Sequence, residues 1–162
     1  HNSKLLLEIA KRYPEIILII SSTGKFALEL KKISKKKFPN IKVTNWVDHQ
    51  NLSSFLSIAD AFIVTLDNDA STFSVPSKIY TYLNIGRPIL GSMPLNNLAS
   101  KKILNMNVGY ISKPENMLSF INHCNILIND KKISKTFSKN CKKYLEIRKK
   151  SLKKIISLVN TI

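Results

Sequence analysis

The sequence predicts an α/β protein with a doubly wound parallel sheet, folded as a single domain. Apolar segments of strand length alternate with amphipathic helical segments, which favours crossover units and parallel pairing. The apolar segments are continuous, as in IILII at 16–20, and such runs are typical of parallel strands buried on both faces. With 162 residues and 44% hydrophobic content, the chain is long enough to form one sizeable core.

The first third of the chain contains two predicted strands. A helix is predicted over 3–12, where apolar residues recur on one face, and Pro14 ends it. The apolar segment EIILIIS at 15–21 is the first strand. A turn at Thr23-Gly24 precedes a helix with a lysine-rich end, and IKVTNWV at 41–47 is the second strand.

The middle of the chain repeats this order. A helix is predicted over 51–60, with apolar residues at positions i, i+3, i+4 and i+7, and AFIVTL at 61–66 is the third strand. A polar loop then leads to a helix that begins near Pro76 and ends at Gly86, because proline favours the first turn of a helix and glycine its end. The fourth strand is PILGS at 88–92.

The last third of the chain is mostly helical. A helix is predicted over 99–105, and VGYIS at 108–112 is the fifth strand. From Pro114 onward the helical pattern continues to the end, with a break near Asn129-Asp130.

The chain is strongly basic, with 26 Lys and Arg against 10 Asp and Glu and a net charge of +16. This charge favours an anionic partner, although a genome rich in A and T would also produce many Lys, Asn and Ile residues. The basic runs at 31–37 and 142–154 are predicted to be exposed helical faces. No apolar run approaches the roughly 18 residues of a membrane span. The only two cysteines, Cys124 and Cys141, indicate a reducing, cytoplasmic compartment without disulfides.

The stretch SVPSKIYTYLNIGRPIL at 74–90 gives the first indication of a ligand. Ligands of doubly wound folds bind beyond the carboxyl ends of the strands, and the loop before this helix lies at that edge. Ser74 or Ser77 is predicted to cap the helix, whose free N–H groups form an anion site. Lys78 stands in the first turn, where the helix dipole disfavours a cation, so a phosphate above the helix start would explain it. An ordinary solvated lysine is the alternative.

The surrounding sequence supports a phosphate-bearing ligand. No acidic residue occurs in the window 70–114. The basic residues in that window are Lys78, Arg87, Lys101, Lys102 and Lys113.

Several chemistries lack their motifs. The chain has no G-x-G-x-x-G after the first strand and no G-x-x-x-x-G-K-[ST], which argues against a dinucleotide oxidoreductase and a P-loop NTPase. It also has no H-E-x-x-H and no G-x-S-x-G, so metal and hydrolase chemistry are not indicated. Asp67 and Asp69 are interpreted as residues of a capped surface loop rather than as metal ligands.

Four passages, in order along the chain, resemble the C-terminal, donor-binding half of family 4 glycosyltransferases of the GT-B architecture, bacterial surface-polysaccharide type. LLLEIAKRYPEIILIISSTG at 5–24 resembles the family's first helix and second strand. FPNIKVTNWVDHQNLSSFLSIADAFIVTL at 38–66 resembles its strand–helix–strand passage. VPSKIYTYLNIGRPIL at 75–90 resembles the signature P-S-K-x-x-E-x-L-A-x-G-[KR]-P-[IV], and 126–144 resembles the closing helices.

This resemblance implies that residues 1–162 form a Rossmann-like domain for a nucleotide-sugar donor, with the acceptor-binding N-terminal domain outside this chain. It implies sugar transfer of the hexosyltransferase type to a lipid-linked or polysaccharide acceptor at the cytoplasmic face of the membrane. A UDP-sugar is expected as the donor in preference to a GDP-sugar, with no cofactor and no metal. The chain alone is expected to be inactive, because the reaction occurs between two domains and depends on positioning.

The resemblance also implies which residues bind the donor. The family's two glutamates fall on Phe73 and Thr81, so neither carboxylate is present here and no catalytic residue is assigned. The residues implied for the diphosphate are Ser74, Ser77 and Lys78. The residues implied for the nucleoside are Ser22, Gly24, Asn45, Trp46, Val47 and Thr81.

Two other function classes are alternatives. A basic α/β module for nucleic acid would account for the charge, but the chain has no such motif and a sole tryptophan, Trp46, so nucleic acid is not the expected partner. A nucleotide-sugar epimerase shares the architecture, but nothing in the loop 67–77 resembles its catalytic acids. One interpretation of the helix at 142–154 is that it binds an anionic membrane surface, which would be a further partner. The alternative is that the apolar residues of this helix form a core face.

Overall fold

The computed structural model describes residues 3–69 and 76–159, with side chains described through residue 151. The helices are α1 (Ser3–Arg12), α2 (Lys25–Lys37), α3 (His49–Ser57), α4 (Lys78–Ile85), α5 (Leu98–Asn105), α6 (Met117–Asn129) and α7 (Lys131–Val159). The strands are β1 (Leu18–Ser21), β2 (Ile41–Thr44), β3 (Phe62–Thr65), β4 (Ile89–Ser92) and β5 (Gly109–Ser112). Parallel strands that alternate with helices are typical of a Rossmann-like domain, so the predicted α/β class is confirmed.

The chain divides into two compact units, His1–Phe55 and Leu56–Ile162. In the first unit, β1 and β2 pair in parallel, from Leu18 opposite Ile41 to Ser21 opposite Thr44. Apolar residues of α1 and α2 complete the buried core of this unit, which contains Leu5, Ile9, Ala10, Leu18, Ala27, Leu30 and Ile41.

Burial in this two-stranded sheet differs between its first two residue pairs. Leu18 and its partner Ile41 are buried, whereas the next pair, Ile19 and Lys42, is exposed. Ile17 is 61% exposed and Ile19 is 44% exposed, so the prediction that the first strand is buried on both faces is wrong. Successive side chains of a strand point to opposite faces, and the face that carries Ile19 and Lys42 is exposed at this pair.

The side-chain amide of Asn40 closes the end of α1. Its Nδ2 donates to the carbonyl oxygens of Ala10 (3.0 Å), Tyr13 (3.2 Å) and Ile16 (3.1 Å). The last carbonyls of a helix have no partner within the helix, and Asn40 satisfies part of that group. The turn at Pro39-Asn40 therefore also ties the start of β2 to the first helix.

In the second unit, β3, β4 and β5 pair in parallel in chain order. All four residues of β4 are buried, as expected for a central strand. Gly109 of β5 lies so close to β4 that an added Cβ would be 1.8 Å from the carbonyl oxygen of Ile89. The core of this unit contains Val64, Ile79, Leu83, Ile89, Met93, Ala99, Ile103, Val108, Ile111 and Cys141.

Helix α4 is fixed on this sheet by its buried side. Ile79 and Leu83 are fully buried, and the ring of Tyr82 stacks on that of Phe62 with centroids 4.0 Å apart. The helix ends at Gly86, whose φ of 82° is left-handed and whose N–H donates to the carbonyls of Leu83 and Tyr82. Helix α4 therefore runs from the loop after β3 to the amino end of β4.

The predicted strands and helices are confirmed, with shifted limits at some ends. Strand β2 ends at Thr44, so residues 45–47 lie beyond the strand that the sequence predicts to include them. Helix α3 spans His49–Ser57 instead of 51–60. The predicted break between the last two helices is Asp130, which follows α6 and accepts hydrogen bonds from the first N–H groups of α7.

Candidate functional site

A cleft of about 140 Å³ lies where β1 and β2 end, in the first unit. Two hydrogen bonds join the strand ends at this point. Ser21 Oγ donates to the carbonyl of Asn45 (3.0 Å), and the N–H of Ser22 donates to the carbonyl of Thr44 (3.1 Å). The residues that line the cleft are Ser22, Thr23, Gly24, Ala27, Leu28, Lys31, Val43 and Asn45. The cleft therefore lies at the carboxyl edge of the strands, where α/β proteins bind ligands.

Gly24 sets the path of the chain from β1 into α2. Its φ of 89° and ψ of −173° belong to a region that glycine adopts far more easily than other residues. An added Cβ would meet no atom within 4 Å, so conformation rather than space requires glycine here. The carbonyl of Gly24 accepts the N–H of Leu28 at 3.1 Å as the helix begins.

The cleft brings together three of the predicted nucleoside-binding residues, Ser22, Gly24 and Asn45. Trp46 and Val47 follow Asn45 directly but are not among the residues that line the cleft. The side chain of Trp46 is 73% exposed, and that of Val47 is half-buried. Three members of the predicted set therefore lie in the cleft wall and two follow it directly in the chain, whereas the sixth, Thr81, lies on α4 in the second unit.

Sequence reasoning missed the other lining residues. Ala27, Leu28 and Lys31 are spaced to lie together on one side of α2, and Val43 lies near the end of β2, two residues before Asn45. The same spacings, applied to the predicted helix and strand, identify these residues from the sequence. Lys31 is the basic member of this set. It belongs to the basic run at 31–37, which is predicted only to be an exposed helical face.

The start of α4, in the second unit, carries Ser77 and Lys78, and both side chains are exposed. The first turn contains no acidic residue. Ser77 has helical backbone angles and makes no side-chain capping hydrogen bond, so the prediction that Ser77 caps this helix is wrong. The other predicted cap, Ser74, and the glutamate position Phe73 lie outside the described residues.

Thr81 lies one turn after Ser77, on the same side of α4, because residues four apart are neighbours on a helix. Its side chain is half-buried. The buried side of the helix holds Ile79, Leu83 and the stacked ring of Tyr82, and burial raises the pKa of the Tyr82 phenol. Packing therefore leaves Ser77, Lys78 and Thr81 accessible from one side of α4.

A second polar cluster lies at the carboxyl end of β5. Ser112 Oγ is 3.1 Å from Ser119 Oγ and 2.9 Å from Nδ1 of His123. The ring of Tyr110 stacks on that of His123 with centroids 4.5 Å apart. Burial lowers the pKa of His123, so the imidazole is neutral near pH 7. Its Nδ1 forms a hydrogen bond with Ser112 Oγ. Ser112 is buried, and this cluster fastens α6 to the end of β5.

Both thiols are poor candidates for nucleophilic chemistry. Burial raises the pKa of Cys124 to about 12 and that of Cys141 to about 11, so both are protonated at neutral pH. Within residues 3–69 and 76–159, no group of three or more His, Cys, Asp or Glu side chains is placed to hold a metal ion.

Residues 1–144 match the family model described as glycosyl transferases group 1. The chain belongs to the group 1 glycosyltransferases. No curated protein and no solved structure is significantly similar to it. The predicted resemblance is therefore confirmed at the level of the glycosyltransferase family.

As a group 1 glycosyltransferase domain, the chain has a sugar-transfer function, and its family implies a nucleotide-sugar donor. The match does not favour the two alternatives, a nucleic-acid module and an epimerase. Of the helices that the structure describes, α7 included, none is both long enough and apolar enough to span a bilayer.

Proposed function

We propose that this glycosyltransferase domain is the donor-binding half of a bacterial family 4 enzyme. It takes a hexose from a nucleoside-diphosphate sugar and passes it to a lipid-linked or polysaccharide acceptor. The observation that carries the proposal is the cleft after β1 and β2, whose wall contains Ser22, Gly24 and Asn45. These are three of the residues that the resemblance implies for the nucleoside.

In this proposal the cleft of the first unit binds the nucleobase. Asn45 is exposed, and its amide offers both a donor and an acceptor, which suits the edge of a uracil ring. Lys31 and Ser22 add further donors to the same wall. UDP is proposed as the donor nucleotide in preference to GDP, as the resemblance implies.

In the second unit, the exposed start of α4 binds phosphate. Ser77 and Lys78 stand in a first turn without an acidic residue, where the helix dipole favours an anion. The N–H groups of Ile79 and Tyr80 donate to the carbonyls of Pro76 and Ser77, so the predicted anion site of free N–H groups is not formed by these two. A charge-assisted contact from Lys78 would stabilise the leaving diphosphate as its charge develops. Thr81, one turn later, offers a hydroxyl to the ribose, and Ser74 is proposed as a further phosphate ligand.

The acceptor-binding domain is proposed to lie outside these 162 residues. The chain alone then binds donor without transferring sugar, since positioning of both substrates supplies much of the rate. Peripheral association with the cytoplasmic face of a membrane is a further proposal. It is supported by the basic residues of 142–154 and by Ile147, which is 55% exposed on α7.

Calorimetry with UDP, GDP and a random oligonucleotide tests the proposed function. We expect UDP to bind more tightly than GDP, and Lys78→Ala to weaken UDP binding roughly tenfold. The control is Lys101→Ala, which removes an exposed lysine on α5 and should leave UDP affinity unchanged. Binding of the oligonucleotide alone would favour the nucleic-acid module and reject the donor-binding proposal.

A further inference from the structure

A second cleft, of about 330 Å³, lies in the second unit between the α4–β4 connection and α7. Arg87 provides one wall, and the first half of α7 provides the other. The residues that line this cleft are Arg87, Ser134, Lys135, Ser138, Lys139 and Lys142. Four cations and two hydroxyl groups thus surround one solvent-filled space, and no carboxylate lines it.

The walls of this basic cleft are held in place by buried contacts. Cys141 is fully buried, and its thiol donates to the carbonyl of Arg87 across 3.5 Å, which joins α7 to the chain just before β4. The guanidinium of Arg87 donates to the carbonyl of Ser57 at 3.4 Å and keeps most of its donors for other partners. The side chain of Lys142 lies over Gly86, where an added Cβ would be 3.7 Å from Lys142 Cγ.

The cations of this cleft are not neutralised by the protein. Among the described residues, no carboxylate forms an ion pair with Arg87, Lys135, Lys139 or Lys142. Glu146 stands one turn beyond Lys142 and is exposed. Lysines three and four residues apart on one helix repel each other, so the arrangement is unfavourable until an anion enters.

The basic cleft is separate from the proposed donor-phosphate site. Lys78 begins α4 and Arg87 follows its end, and a helix of 8 residues is about 12 Å long. Arg87 precedes β4, so the cleft opens at the amino edge of the strand, whereas Lys78 follows the carboxyl end of β3. An anion in the basic cleft therefore makes none of the contacts proposed for the donor.

We propose that the basic cleft is a second binding site, for a phosphomonoester or diphosphate group. The guanidinium of Arg87 presents a planar fork that matches two phosphate oxygens, and the three lysines supply point charges around it. Ser134 and Ser138, one turn apart on α7, supply hydroxyl donors for the remaining oxygens. A group with about two negative charges matches four cations better than a monoanion such as chloride or acetate.

Titration calorimetry with pyrophosphate tests the site, with the full chain carrying Lys78→Ala as the parent protein, so that the contribution of α4 to binding is reduced. We expect the parent to bind pyrophosphate and to gain thermal stability from it. The double variant Lys139→Gln/Lys142→Gln should bind about tenfold more weakly. The matched control, Lys143→Gln/Lys150→Gln, removes two exposed lysines of the same helix that do not line the cleft and should change affinity less than twofold.

Vesicle sedimentation distinguishes the two sources of such a group. Binding to phosphatidylcholine vesicles only when they contain phosphatidic acid, lost in the cleft variant and kept in the control, identifies a lipid headgroup. Pyrophosphate binding without vesicle binding identifies a free phosphate compound.

Both results support the site and are independent of UDP binding. No pyrophosphate binding by the parent, or equal weakening in the two double variants, would overturn the proposal, since the second result reports diffuse surface charge.

Discussion

Tyr82 of α4 stacks on Phe62 of β3, with ring centroids 4.0 Å apart and ring planes 5° from parallel. This contact holds the helix that carries Lys78 onto the sheet. Tyr82→Ala should lower the free energy of unfolding by about 2–3 kcal/mol, because it removes the stacked ring and leaves a cavity. Tyr82→Phe keeps the ring and should stay within about 0.5 kcal/mol of the parent in urea denaturation. A similar loss in both variants would show that the hydroxyl, rather than the stacked ring, carries the effect.

Alanine substitutions at two glycines distinguish two reasons why a position requires glycine: lack of space for a Cβ and an unusual backbone conformation. Gly109→Ala places a Cβ 1.8 Å from the carbonyl oxygen of Ile89, so the backbone of β4 or β5 must move. We expect a cost of about 3 kcal/mol in chemical denaturation. Gly24→Ala meets no atom within 4 Å and should cost only about 1–2 kcal/mol, the penalty for an extended backbone at positive φ, which glycine adopts far more easily than alanine. Equal costs for the two variants would contradict this division.

Asn40 is expected to be the most important polar side chain of the first unit. Asn40→Ala removes three hydrogen bonds to the carbonyls of Ala10, Tyr13 and Ile16, and should cost about 2–3 kcal/mol. The control is Asn68→Ala, which removes one exposed hydrogen bond to Glu115 and should cost less than about 0.5 kcal/mol. The measurement is the free energy of unfolding in urea, and a cost for Asn40→Ala as small as that of the control would count against the assigned role.

The neutral imidazole of His123 predicts a pH dependence of stability. Burial lowers its pKa in the folded protein below the usual value of 6.5, so the unfolded chain takes up a proton first as the pH falls. The contribution of His123 is therefore fully present above pH 6.5 and is lost as the pH falls from there through the lower folded pKa. Unfolding measured between pH 8 and pH 5 should show this loss.

Substitutions at two histidines test whether His123 is the group that causes this pH dependence. His123→Gln should flatten the profile between pH 6.5 and pH 5. His49→Gln, which replaces an exposed histidine at the start of α3, should leave it unchanged. A profile that stays the same in His123→Gln would show that another group titrates.

Thr81 stands where the resemblance places a glutamate for the ribose. If this side of α4 binds the donor, Thr81→Glu should tighten UDP binding by about fivefold, since a charged acceptor binds a hydroxyl more strongly than a neutral one by roughly 1 kcal/mol. Asn105→Glu is the matched control, because Asn105 is an exposed asparagine on α5 and receives the same charge. Calorimetry with UDP compares them, and weaker binding in Thr81→Glu alone would place the ribose elsewhere.

The order of strands and helices was predictable because each element carries its own pattern of apolar residues and its own end signals. The clustering of Ser22, Gly24 and Asn45 was predictable because adjacent parallel strands end at one edge. The end of β2 was not, since Trp46 and Val47 are good strand formers and pairing with β1 stops at Thr44.

Features that depend on tertiary packing could not be predicted from the sequence. Ile19 belongs to an apolar run, yet it is exposed, because a run of apolar residues does not tell how many faces of a sheet are covered. The basic cleft combines Arg87 with residues about 50 positions later, and Lys139 and Lys142 look like ordinary surface lysines when α7 is considered alone. Only the packing of α7 against α4 brings these groups together.

The two buried thiols give this chain an internal reporter of opening. Cys124 and Cys141 are its only cysteines, and both belong to the second unit. A thiol reagent reaches them only when the packing around α6 and α7 loosens, and the raised pKa of each thiol slows the reaction further. The rate of chemical labelling therefore reports the local opening of the second unit. The first unit has no cysteine and contributes nothing to this rate.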